Sequence, residues 1–112
     1  MKKNTNRDLI NGTSFHGQVI EATVADLRVV LGEPDYEQND GSDKSNFDWS
    51  GVTSDGQVFT VYDWKEYRRL PEHEVIEWHI GGHSMLATIN AKLELEQILT
   101  QHINEKKHEQ LY

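Results

Sequence analysis

The chain contains no cysteine. That absence excludes a disulfide scaffold, thiolate-bound zinc, iron–sulfur ligation and a thiol nucleophile, and it fits a reducing compartment. Long hydrophobic runs are also missing, so neither the apolar core of a secretion signal nor a membrane span can be read from the residues. A cytoplasmic location is therefore expected. Basic residues are scarce: 11 Lys and Arg stand against 19 Asp and Glu, a net charge of −8. Such a balance opposes broad electrostatic attachment to nucleic acid or to an anionic membrane and leaves room only for a local basic site.

What is present suits a single folded domain. In 112 residues, 36% are hydrophobic and 27% charged, which is enough to bury about two thirds of the surface that the unfolded chain exposes. Residues 1–12 carry Lys2, Lys3 and Arg7 with only Leu9 and Ile10 as apolar anchors, and they read as a loosely held tail. The domain proper is expected over 13–103, followed by a polar tail, 104–112, that frays.

Strand periodicity begins at Ser14 and ends near Glu21. Thr23 then caps a helix running to Leu31, with Asp26 three residues on as in a capping box and Val24, Leu27 and Leu31 on one face. Gly32 closes that helix, and Pro34 prevents its continuation. Seven acids and one base, Lys44, lie between Glu33 and Asp55, so most of the net negative charge is concentrated there. Residues 38–43 form a solvated loop whose acids do not follow the calcium-loop spacing.

From Asn46 the period becomes two. Phe47 and Trp49 alternate with Asp48 and Ser50, and Ser54-Asp55-Gly56 predicts a hairpin into a strand over 57–64. This return strand is apolar on both faces and should be central. A charged connector over 65–74 leads to a strand over 75–80, with Ile76, Trp78 and Ile80 on one face and Val75, Glu77 and His79 on the other. Gly81-Gly82 reads as a turn, and Ser84 as the cap of a long helix. The apolar residues of that helix cover about half its circumference, more than one sheet needs. Leu95, Ile98 and Leu99 widen the stripe begun by Leu86, Ile89 and Leu93, pointing either to a broad core or to a homo-oligomer joined through this helix. The expected architecture is α+β, a small antiparallel sheet with two helices on one face in the order β-α-β-β-β-α.

Two segments carry candidate chemistry. Trp64, Tyr67, Arg68 and Arg69 combine stacking surface with fixed positive charge, the pairing used for bases and nucleotides. Trp78, His79, Gly81, Gly82, His83 and Ser84 join a glycine turn to a helix start, where free amides and a protonated imidazole would hold a phosphate or carboxylate. The two segments leave the sheet from opposite ends, so a pocket using both needs a second subunit. His73, Glu77, His79 and His83 match no metal-ligand spacing, and no metal or other cofactor is expected. Ser50, Ser54 and Ser84 lack a nucleophile elbow, no P-loop or dinucleotide fingerprint occurs, and Asp48 and Asp63, on neighbouring strands, are expected to find backbone or Arg partners. A non-enzymatic role is expected.

With Tyr62-Asp63-Trp64-Lys65, Trp78-His79-Ile80-Gly81-Gly82 and the preceding Leu31-Gly32-Glu33-Pro34, the sequence resembles small uncharacterised proteins encoded by tailed bacteriophages, over about residues 13–100. The resemblance implies an accessory gene acting in the host cytoplasm, often against host defence, and assigns no catalytic residue. Two functions follow as expectations. One is a sponge that sequesters a small phosphorylated nucleotide. The other is an acidic DNA mimic or inhibitor that docks on a host protein through residues 33–55.

Overall fold

A computed structural model describes residues 1–110. Its sheet is antiparallel throughout, with β1 (Lys2–Lys3), β2 (Ser14–Ala22), β3 (Tyr36–Glu37), β4 (Phe47–Val52), β5 (Val58–Tyr62) and β6 (Ile76–Gly82). The spatial order is β1-β4-β5-β6-β2, and β3 pairs with the far end of β4. Helices α1 (Val24–Leu31) and α2 (Met85–Gln110) share one face of the sheet and touch each other, as the α+β expectation required. The double-sided strand β5 lies in the middle.

Local chemistry explains the edges of α1. Thr23 Oγ1 accepts the Asp26 N–H at 3.0 Å, and Gly32 takes φ +80°, a conformation that side chains disfavour. Asp26 also links the two helices. His102 Nε2 and Lys106 Nζ each lie 3.0 Å from its Oδ1. Burial raises the Asp26 carboxyl, but the hydrogen bonds from Lys106, Thr23 and His102 outweigh that and hold it below the usual range.

Beneath the helices, Phe47, Trp49 and Trp78 form an aromatic cluster with Phe59, Val61, Ile80, Leu27 and Leu95, all fully buried. The inward stripe of α2 is Ala87, Thr88, Ala91, Leu95 and Leu99. Small residues there let the helix lie close to the sheet, and a Cβ on Gly82 would meet Thr88 Cγ2 at 2.8 Å. Leu95 and Leu99 therefore belong to the intrachain core, while Met85, Leu86 and Leu93 face outward.

Three expectations change. Residues 1–12 are built into the fold: β1 pairs Lys2 with Val52 and Lys3 with Gly51, Asn4 is buried and hydrogen-bonded, and Arg7–Ile10 form a 3-10 turn. Their anchoring is polar and long-range, so few apolar residues are needed. Gly81 and Gly82 are strand, not turn, paired with Phe15 and Ser14 on one side and with Thr60 and Phe59 on the other. The polar segment from Asn104 continues α2 to Gln110, and Leu111 and Tyr112 lie outside the described residues. No helix among the described residues is long and apolar enough to cross a membrane.

Candidate functional site

The face of the sheet opposite the helices carries two cross-strand rows fixed by register. One runs Asp48–Tyr62–His79–Val19, and the other Ser50–Thr60–Gly81–Phe15. Side chains on paired positions of one face lie about 5 Å apart, so each row is a line of neighbours. Gly81 leaves a gap in the second row that no other residue can leave, because a Cβ there would collide with Thr60 Oγ1. Over that gap opens a recess of about 280 Å³, lined by Ile10, Thr13, Ser14, Ser45, Asp48, Thr60, Tyr62, Trp64 and Gly81. The 3-10 turn of the first ten residues forms one wall. The loop before β4 and the end of β5 form the other.

Aromatic rings border the recess. His79 is stacked between Phe15, at 4.0 Å between centroids, and Trp64, at 6.1 Å, while Tyr62 meets both Trp64 and His79 edge-on. A two-residue surplus in β2 between Phe15 and Val19, with Gly17 at φ +92°, interrupts the register beside this stack. Trp64 is 42% exposed, and the ammonium groups of Lys65 and Lys44 lie 5.4 and 5.9 Å from its ring centroid. The site thus offers a ring for stacking and two cations beside it.

A polar lock holds this rim. Asp63, at 0% exposure, accepts the backbone N–H groups of Asn46 and Phe47 and the Asn46 side-chain amide. Asn46 Nδ2 also donates to the Arg68 carbonyl at 2.8 Å, and the Lys65 N–H donates to the Lys44 carbonyl at 2.7 Å. Lys44, Trp64 and Lys65 are therefore positioned by a buried carboxylate whose oxygens are satisfied, which removes the ordering cost from any ligand they meet.

Asp48 differs from Asp63. Its Oδ1 is sealed from solvent and has no hydrogen-bond partner, and its Oδ2 lies 3.8 Å from Arg7 Nη2, beyond hydrogen-bond reach. Arg7 spends its closer contact, 3.0 Å, on Asp35, which also accepts the Ser50 hydroxyl at 2.7 Å. Burial raises the Asp48 carboxyl to about 6, with Arg7 opposing and Asp35 and Asp63 adding repulsion. Burial likewise raises the Tyr62 phenol, helped by Asp48, and lowers the His79 imidazole against the pull of Glu77. At neutral pH the recess thus holds one poorly solvated anion, and burial favours the neutral form of the imidazole beside it.

The sequence-derived candidates separate. Trp64, His79 and Gly81 meet at or beside the recess. Trp78 does not: its ring is fully buried under the helices and its Nε1 donates to the Ala22 carbonyl, so it is core. Gly82 is buried strand. His83 Nε2 lies 2.9 Å from the Leu9 carbonyl, and Ser84 caps α2 by accepting the Ala87 N–H at 3.1 Å. Gly81 and Gly82 are engaged in strand pairing, and Ser84 takes the Ala87 and Thr88 amides at the helix start. Tyr67 is exposed at φ +50° and does not line the recess. Arg68 pairs with Glu74 and Glu66, and Arg69 has no ion-pair partner among the described residues. The expected guanidinium pocket does not form at the recess, because the connector's own acids occupy Arg68 and neither arginine lines it.

Sequence reasoning missed Lys44, Lys65, Asp48 and Thr60 as site residues. Alternation already put Asp48 and Thr60 opposite the core residues, but only the register places them beside Gly81. A larger hollow, about 750 Å³, runs along α2 and is lined solely by that helix's own polar side chains, among them Glu96, Gln101 and Glu105, so no second wall converges on a ligand. No protein family, curated protein or solved structure matches the chain.

Proposed function

We propose that the protein is a non-enzymatic binding module for a small phosphorylated nucleotide, seated in the outer-face recess. The observation that carries this reading is the Asp48 carboxylate, whose Oδ1 has no hydrogen-bond partner and whose Oδ2 has only the long 3.8 Å ion pair with Arg7, in a ring-bordered recess with Lys44 and Lys65 beside it. A buried polar atom without a partner is costly and calls for a donor from outside the chain. The ring edge of a base supplies N–H donors, its face stacks on Trp64, and the lysines attract the phosphate. At about 280 Å³ the recess is near the low end for ligand sites, so it admits one heterocycle and leaves sugar and phosphate at the mouth. The site is complete within one chain and needs no second subunit.

The acidic docking surface is the weaker basis for a function. Arg28 engages Glu33 and Glu37, together with Glu72 from the connector, while Arg7 and Lys3 meet Asp35, so much of the segregated negative charge is locally compensated. Joined to the likeness to tailed-phage proteins, the nucleotide reading becomes a cytoplasmic sponge acting against a host signal. Thermal shift with a panel of mononucleotides, cyclic nucleotides and ADP-ribose tests it. At least one should raise Tm, Trp64→Ala combined with Lys65→Ala should abolish the rise, and Arg68→Ala with Arg69→Ala should leave it. A flat response across the panel overturns the reading.

A further inference from the structure

Within that nucleotide reading, and resting on it, we infer that Asp48 is the specificity-determining residue and selects a guanine-type base, whose ring N–H and exocyclic amine point the same way. The inference starts from what the carboxylate lacks. Neither of its oxygens accepts a hydrogen bond from the described residues, although it sits between Ser50 on its own strand and Tyr62 on the next. Asp63, one strand away and fully buried, collects three donors, so a buried carboxylate in this fold is satisfied where the chain means it to be structural.

A carboxylate is an acceptor pair, and its best partner is a planar group with two parallel N–H bonds. Arg7 has that form, but it is turned to Asp35 and stands 3.8 Å from Asp48. Among the common bases only the guanine edge offers two adjacent donors in one direction. Adenine and cytosine present an acceptor next to their amine, which would face a second carboxylate oxygen with repulsion. The carboxyl torsion is broad, so turning the sealed Oδ1 toward the recess needs no backbone movement. Tyr62, beside Asp48 in the register, and Trp64 give the base its stacking surface.

Charge around the site sets its pH response. Facing Asp48 are Arg7 from the 3-10 turn, Asp35 from the segment after α1, Tyr36 from β3, Tyr62 from β5 and Asp63 after β5. Burial raises the Asp48 carboxyl to about 6, so it takes up a proton as the solution moves from neutral to mildly acidic, and a protonated carboxyl loses one acceptor.

Calorimetric titration of the full chain with GMP, IMP and AMP tests the inference. GMP should bind at least tenfold more tightly than AMP with IMP between them, and GMP affinity should fall as pH drops from 7.5 to 5. Asp48→Asn, whose fold is checked by its melting curve, should erase the preference for GMP, because the amide now presents a donor as well as an acceptor. Asp48→Ala should lower GMP affinity without raising that for AMP. Equal binding of GMP and AMP that is lost in Trp64→Ala overturns the specificity while leaving the nucleotide reading intact. Absence of binding by all three, with a thermal response to another nucleotide, also overturns the inference alone; absence of any response overturns both.

Discussion

Asn39 and Leu70 exchange hydrogen bonds in both directions: Asn39 Nδ2 donates to the Leu70 carbonyl at 2.8 Å, and the Leu70 N–H donates to Asn39 Oδ1 at 2.7 Å. A side-chain amide here imitates one rung of a β-ladder, tying the acidic loop to the charged connector. Gly41, at φ +75°, lets the loop come so close that a Cβ would lie 2.7 Å from the Arg68 backbone. Asn39→Ala should cost about 2 kcal/mol in urea denaturation, since two partners lose their bonds and the Leu70 amide is half sealed by its fully buried side chain. An effect near zero would mean that water replaces the rung without penalty.

Asp48 predicts a stability difference that depends on pH. Its folded-state value, about 6, is above the 3.8 of an unfolded carboxyl, so the folded state holds the proton more tightly. The resulting stabilisation is complete below pH 3.8 and disappears as pH rises through 6. In the free protein, Asp48→Asn removes the burden of the anion and should raise stability at pH 7.5 by about 2 kcal/mol, allowing for its partial solvation. At pH 4 the gain should vanish. Denaturant midpoints of both proteins at the two pH values check this, and a gain that persists at pH 4 would assign the effect to packing instead.

Trp78 belongs to the core and its removal should behave accordingly. Trp78→Ala should destabilise by about 4 kcal/mol, through lost burial and the cavity left among Phe47, Trp49 and the helices. Trp78→Phe should recover much of that, yet leave the Ala22 carbonyl without its indole donor. Nucleotide affinity in the Phe variant should equal that of the parent. A selective loss of binding at unchanged stability would return Trp78 to the site.

Legibility from the sequence followed the range of the interaction. The Thr23 cap, the Gly32 stop and the alternation of Phe47 and Trp49 with Asp48 and Ser50 are decided within a few residues, and each is where local chemistry put it. The inward face of α2 was masked because alanines carry it, and an alanine counts little toward a hydrophobic stripe even when it permits the closest approach. The first twelve residues were misread since a two-residue strand has no period; it exists because Gly51 and Val52 offer a free edge. The recess draws on four separate stretches of chain, so its assembly depends on register. Trp64, His79 and Gly81 were recognisable as unusual residues, but the cations over the Trp64 ring are its chain neighbour Lys65 and Lys44, which the fold brings, not the nearby arginines.

The surplus residues in β2 have a second effect, away from the recess. β2 is the outermost strand beside β6, nine residues long and without proline, which is a length at which a bare row of amides would recruit another chain. The distortion at Gly17 breaks that row into two short, misaligned pieces, so no straight strand can seat along it. Straightening the border by deleting Gly17 and Gln18 would turn a self-limited monolayer into a template for fibrous growth.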